Sequence, residues 1–411
     1  MLLICTAAPA KELYSDEERE KRADLDLTLK AGSLLSYAPD DPLLYPNRRS
    51  ALGLIRARAG LRMQHSNRLN SEVAYEHSAR ASSHGTNLSG DGDILPSFTE
   101  APYRVAPLEG EVADSTSTFA WRHELDRALL AYHPPWGEVS VGRQAVGLGR
   151  GVIFSAVDVF SPFSPLEVDR EWRRGVDAAR CEYRLSPTTS AEVLGVGGES
   201  WHDSGVLARL RGYMGDIDGE LIVGKRGEDA MLGGVTSAIV GGAEVHAELA
   251  GYDTPRPQPG GGSFGYDDTA VQAVLGSSYT FDIRRGLTVL GEYHYSGFGA
   301  RDIEEGQALL SDPHFQERFL RGDMQILGRH ALALQLSYSF NPQWNGTLLF
   351  LGSPEDGSGV ASPGVRWDIT DSSSITATGF LPWGDGPSDG ILQSEYGSRP
   401  ASLFFQVSYY F

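Results

Sequence analysis

Arginines fall on the polar parity of successive extended segments up to residue 211: Arg56, Arg58, Arg62, Arg68, Arg122, Arg174, Arg180, Arg184, Arg209 and Arg211. In extended chain, residues two apart share a face, so these side chains are expected along one wall. A guanidinium stays charged and presents a planar fork of donors that fits a carboxylate. Such a wall attracts and orients small anions without any covalent step. The carboxylates Glu72, Glu76, Glu124, Asp126 and Glu182 lie nearby in the sequence. They support a second reading, in which the arginines pair with them and stiffen a filled interior.

A long segment, 148–169, leaves a strand within that wall. It carries Asp158, Glu167 and Asp169 among apolar residues that include Phe160 and Phe163. An apolar connection with few charges is poorly suited to stand in water. It is expected to fold back among the arginines and narrow the space they line. Arginines facing carboxylates across a constriction set up a transverse field, the usual basis of ion selectivity in a pore.

No residue set points to catalysis. His246 and His294 have no sequence-level acid or nucleophile partner, and HExxH and CxxCH do not occur. Gly147-Leu148-Gly149-Arg150-Gly151 and Pro259-Gly260-Gly261-Gly262 lack the Lys-Ser/Thr of a phosphate loop. The two cysteines, Cys5 and Cys181, define no disulfide framework or metal site. No catalytic residue, metal or cofactor is therefore expected. A formal charge of -19 argues against nucleic acid as a partner.

The elements that must position these residues show a period of two. Ala23, Leu25, Leu27 and Leu29 alternate with Asp24, Asp26, Thr28 and Lys30. Ala243, Val245, Ala247 and Leu249 alternate with Glu244, His246 and Glu248. Leu332, Leu334, Leu336, Tyr338 and Phe340 alternate with Ala333, Gln335, Ser337 and Ser339. A charge on every second residue is costly in a dry core and cheap if that face lines water. The opposite, apolar face then meets lipid.

Strands are expected at 22–37, 51–63, 67–80, 118–133, 136–147, 170–185, 188–199, 204–214, 217–227, 230–241, 243–252, 269–282, 286–297, 329–340, 344–353, 358–369, 373–381 and 400–411. Every second connection is short, as at Gln64-His65-Ser66, Pro134-Pro135, Gly215-Asp216 and Asp371-Ser372. The long ones, including 81–117, 148–169, 253–268, 298–328 and 382–399, fall between them. Short turns at one rim and long loops at the other are the pattern of a transmembrane barrel. Aromatics near strand ends, among them Trp136, Tyr183, Tyr338, Trp344 and Trp367, fit interfacial girdles. Acidic residues crowd 81–117 (Asp91, Asp93, Glu100, Glu109, Glu111, Asp114), and Glu304–Leu320 is expected as a short helix. At the N-terminus, Ala8-Pro9-Ala10 after an apolar stretch reads as the end of an export signal.

The last strand shows the alternation most clearly: Leu403, Phe405, Val407, Tyr409 and Phe411 form one apolar face. A terminal Phe preceded by alternate apolar residues resembles the assembly signal of outer-membrane proteins. The stretch 119–185 adds Arg127, Tyr132, Val141, Gly142, Arg143, Gln144, Gly147, Gly149, Asp158, Phe160, Pro162, Gly175 and Asp177. In that order these resemble the porin-like outer-membrane group that includes alginate-export porins. The resemblance implies a barrel whose inward loop is the constriction. By simple parity Arg127 and Arg143 face lipid. Either they sit at the interface or a bulge turns them inward.

The expected fold is all-β, a single antiparallel transmembrane β-barrel of eighteen strands, with sixteen as the alternative. Residues 1–10 are the signal remnant and 11–411 the barrel. The expected function is a porin-like channel of the bacterial outer membrane for small polar or anionic solutes. Its partners are outer-membrane lipid, lipopolysaccharide and the barrel-assembly machinery, and a homo-oligomer is compatible with the reading. The alternative is a structural sheath scaffolding a partner such as a periplasmic electron-transfer protein.

Overall fold

The computed structural model describes residues 11–16, 20–84, 94–96, 102–106, 108–112 and 118–411. The expected signal remnant, residues 1–10, and most of the acidic residues of 81–117 (Asp91, Asp93, Glu100, Asp114) lie outside them. The strands are β1 (Lys11–Asp16), β2 (Lys21–Tyr37), β3 (Arg49–Ser66), β4 (Leu69–Ser82), β5 (Glu109–Val112), β6 (Phe119–Tyr132), β7 (Gly137–Gln144), β8 (Val176–Ser186), β9 (Thr189–Val196) and β10 (Gly205–Met214). They continue as β11 (Ile217–Arg226), β12 (Asp229–Val240), β13 (Ala243–Asp253), β14 (Thr269–Phe281), β15 (Leu287–Ser296), β16 (His330–Asn341), β17 (Trp344–Gly352), β18 (Gly359–Thr370), β19 (Ser373–Trp383) and β20 (Ala401–Tyr410).

Each of the eighteen expected strands is present, and all pair antiparallel with their neighbours. The ring closes between β2 and β20, from Thr28↔Tyr410 to Tyr37↔Ala401. Closure satisfies the backbone without an edge, which a sheet needs in lipid. Along β20, Leu403, Phe405, Val407 and Tyr409 are exposed, while Phe404, Gln406, Ser408 and Tyr410 are buried. The outer belt is thus apolar. Pairs of aromatics cap it at the short-turn rim: Trp136 with Tyr183, Trp344 with Trp367, and Tyr409 with Phe411. An apolar belt round a closed sheet is the signature of a transmembrane barrel.

Two strands were not expected. β1 extends the wall beside the start of β2, pairing Lys11 with Leu25 and Asp16 with Lys21. β5 pairs with β6 from Glu109↔Glu124 to Val112↔Trp121. β7 is short and pairs β6 only over Ala128–Tyr132, so β5 takes the edge that β7 leaves. The connection expected at 64–66 falls at 67–68, which puts Arg68 in a turn. Strand β8 begins at Val176 rather than 170, because 170–175 stay in the long loop. The expected helix at 304–320 is two helices, α1 (Ile303–Leu309) and α2 (Pro313–Arg321). Asp312 caps the second and Pro313 opens it, a start signal that interrupts one continuous helix.

Both parity problems have local causes. On β6 the register skips Asp126, with Ala74 opposite Arg127 and Tyr75 opposite Leu125. This bulge turns Arg127 inward, where it reaches the Arg173 carbonyl at 2.6 Å. Arg143 stays on the other face but is buried by residues 104–106. It bonds Asp177 at 2.7 and 3.0 Å and the Ala106 carbonyl at 2.7 Å. Gly142 beside it has φ +117, and a Cβ there would run into the Ala128 carbonyl oxygen, so only glycine fits.

Candidate functional site

The loop from 145 to 175 crosses the lumen and is tied to both walls. Its first limb lies against β13 and β15. Glu292 accepts the backbone N–H groups of Val152, Ile153 and Phe154 at 2.6, 2.9 and 2.9 Å. Glu248 accepts those of Arg150, Gly151 and Ala156, the last two at 2.7 Å, and the Ser155 hydroxyl at 2.8 Å. His246 Nε2 lies 3.0 Å from Glu292, and the Tyr252 hydroxyl donates to the Ala156 carbonyl at 3.1 Å. A turn of loop has orphan amides that must find acceptors once buried. Two inward-facing carboxylates supply them.

The return limb lies against β2 and β3. Lys30, buried, bonds Asp169 at 2.7 Å and Glu171 at 2.6 Å, and its ammonium sits 4.1 Å from the centroid of Trp172. Arg56 bonds Asp169 at 2.9 Å and Glu76 at 2.9 Å. Arg58 bonds Asp126 at 3.2 Å, and Asp126 in turn accepts the Gly175 N–H at 2.9 Å. Asp158 binds Arg173 within the loop.

Between this limb and the β3, β4 and β6 wall lies a cavity of about 90 Å³. Arg56, Arg80, Arg122 and Arg174 line it, with Glu76, Glu124, Glu167, Phe163 and Trp172. Burial pushes the Glu167 carboxyl up to about 7, although Arg170 pulls it down. Burial likewise raises Asp158 to about 6 against the pull of Arg173.

The expected arginine wall is therefore subdivided. Arg56, Arg122 and Arg174 meet at the cavity, whereas Arg58 is buried behind it. Arg62 lines a second cavity of about 240 Å³ near the short-turn rim with Arg22, Asp24 and Glu72. Arg180, Arg209 and Arg211 form a separate group around Glu182, Glu192 and Glu220, with Arg180 to Glu192 at 2.8 Å and Arg209 to Glu220 at 2.8 Å. Arg184 is exposed near the end of β8, and Arg68 is exposed in its turn. Of the loop residues, Phe163 and Glu167 face the cavity. Phe160 instead packs edge-on against Tyr103 at 5.0 Å, and Asp169 is an anchor.

Sequence reasoning passed over Glu248, Glu292, Lys30 and Trp172. Inward parity marked Lys30 and Glu248, but their partners are loop atoms far away in the chain. Arg104 was also missed as a site residue. It is buried and bonds Glu109 at 2.5 Å and Glu124 at 2.6 Å, so part of the acidic loop serves to neutralise the wall.

No family model and no curated protein matches the chain. Solved structures do resemble it. OccAB1 of Acinetobacter baumannii matches with a TM-score of 0.56 at 9% identity, over 98% of this chain and 99% of that one. OccK9 (OpdG) of Pseudomonas aeruginosa gives 0.55 at 9%, over 94% and 98%. OccAB3 of Acinetobacter baumannii gives 0.54 at 10%, over 95% and 99%. At such identity the likeness is one of fold. The chain has the eighteen-stranded barrel fold of outer-membrane porins, and its apolar belt belongs in the bacterial outer membrane.

Proposed function

We propose that the chain is a channel for passive passage of small polar solutes, biased toward anions by the arginines at its constriction. The observation that carries this is the cavity between the inward loop and Arg56, Arg80, Arg122 and Arg174. Fixed opposite charges across a narrow, water-filled gap replace part of a solute's hydration and orient its dipole. Anions follow the guanidinium side, while Glu167 on the loop repels them when ionised. Passage involves no bond making or breaking. In this reading the loop 148–169 sets the cut-off. The Leu403, Phe405, Val407, Tyr409 and Phe411 face serves as the assembly signal.

The test is a planar bilayer containing the refolded protein under a salt gradient. Discrete conductance with a reversal potential on the anion side is expected, and Arg122→Glu with Arg174→Glu should move it toward cations. A folded barrel that never conducts would overturn the channel reading. The scaffold reading would then gain weight, because most of these arginines already meet carboxylates.

A further inference from the structure

The second cavity, of about 240 Å³ at the short-turn rim, has polar side chains that the wall itself leaves unused. Deeper in the wall, arginines meet carboxylates at hydrogen-bonding distance, as Arg56 meets Glu76 at 2.9 Å and Arg58 meets Asp126 at 3.2 Å. At the rim, Arg62 stands directly across the β3–β4 ladder from Glu72, and Gln64 from Asn70. Side chains so placed are near enough to pair, and these do not. Among the described residues, Arg62 comes no closer to a carboxylate than 3.9 Å, from Asp26, which is too far for a hydrogen bond. The side chains of Glu72 and Gln64 make no hydrogen bond or ion pair among the described residues. Asn70 Oδ1 is buried and has no partner there either.

The neighbouring charges are already engaged. Arg22 binds Asp24 at 2.8 Å, with Glu12 of β1 3.6 Å away. Further in, Arg58 and Arg127 both bond Asp126, at 3.2 and 2.7 Å, and Asp26 lies 3.8 Å from Arg58. The cavity therefore offers one free cation and one free anion. They are sorted by strand: donors on β3, from the Arg62 guanidinium and the Gln64 amide, and acceptors on β4, from the Glu72 carboxylate and Asn70 Oδ1. Beyond the acceptors, Leu129 and Ala131 of β6 stand opposite Glu72 and Asn70 and give the cavity an apolar end. A ligand with a single charge would meet only one of the two free groups and leave the other facing like charge or nothing.

We infer that this cavity binds a small zwitterion with its carboxylate and ammonium on one carbon, an α-amino acid with an apolar side chain. The carboxylate takes the Arg62 fork and the Gln64 amide. The ammonium donates to Glu72 and, with a turn of the side-chain amide, to Asn70. The ligand's side chain lies over Leu129 and Ala131. The site is at the short-turn rim, apart from the constriction, and stands whether or not the barrel conducts.

The probe is L-leucine, titrated by calorimetry into the refolded full chain in detergent. Saturable binding is expected. Leucine methyl ester lacks the carboxylate and isocaproate lacks the ammonium, and each should bind about tenfold more weakly. Arg62 is exposed and Glu72 half-buried, so Arg62→Gln and Glu72→Gln should both fold, which heat-modifiable mobility on a gel checks. Each should weaken leucine about tenfold. Glu72→Gln should not weaken isocaproate, whereas Arg62→Gln should. Crystals soaked in L-selenomethionine should place the anomalous selenium peak over Leu129 and Ala131. No saturable heat with leucine, equal binding of leucine and either analogue, or a selenium peak elsewhere would overturn the inference. A barrel that binds leucine but never conducts would overturn the channel reading alone.

Discussion

Glu248 and Glu292, on strands two apart in the barrel, grip consecutive stretches of one loop. Glu292 holds the amides of residues 152–154, and Glu248 holds 150, 151 and 156 around them. Neither grip uses a loop side chain other than Ser155. The course of the first limb is thus set by the wall, whereas the return limb is held through its own Asp169 and Glu171.

Glu292→Ala should free the first limb. Three amides, two of them buried, would lose their acceptor, each buried one at a cost of about 1–3 kcal/mol unless water enters. We expect a larger and noisier single-channel current, with Glu292→Gln intermediate because one carbonyl oxygen remains. A current indistinguishable from wild type would show that the grip does not position the loop.

Lys30→Met should release the other limb. Asp169 would keep Arg56, but Glu171 would lose its buried cation. Breaking one side of a buried pair costs about 3–5 kcal/mol. The expected result is a lower temperature for loss of the folded barrel on a gel, together with raised conductance.

The Glu167 carboxyl is held at about 7 by burial, above the ordinary range, so it is neutral at pH 5.5 and charged at pH 8.5. The cavity therefore gains a negative charge as pH rises through 7. Anion preference should fall over that interval, read from reversal potentials. Glu167→Gln should flatten the profile at its low-pH value. A step of unchanged size in that variant would assign it to another group.

Gly142→Ala should cut the yield of refolded barrel sharply, since the new Cβ meets the Ala128 carbonyl oxygen at φ +117. Gly195→Ala is the matched control, because a Cβ there meets nothing within 4 Å. Equal yields would mean that β7 can shift its register without loss.

The barrel was legible because lipid outside and water inside write a period of two into each strand. β20 shows this most plainly, with Leu403 to Tyr409 outward and Phe404 to Tyr410 inward. β1 and β5 escaped because neither carries that alternation. β5 lies in an acidic loop, and β1 is exposed along nearly its whole length. Parity failed at Arg127 because a bulge resets the count, and no residue type announces one. The site was half legible. Arginine parity found Arg56 and Arg122, but not which carboxylate each would meet, and Arg174 reaches the cavity from the loop rather than from the expected strand. Lys30 and Asp169 are 139 residues apart, and a carboxylate that binds backbone amides has no side-chain partner to find in a sequence.

The loop is anchored at β2 and β3 on one side and at β13 and β15 on the other, so it spans a diameter of the cylinder. Flattening of the barrel along that diameter and the width of the gap beside the loop are then one mechanical coordinate. Lateral pressure in the bilayer acts on the shape of the barrel, and through these anchors it reaches the gap. Membranes of different thickness or stiffness should therefore change conductance without any change of residue at the cavity.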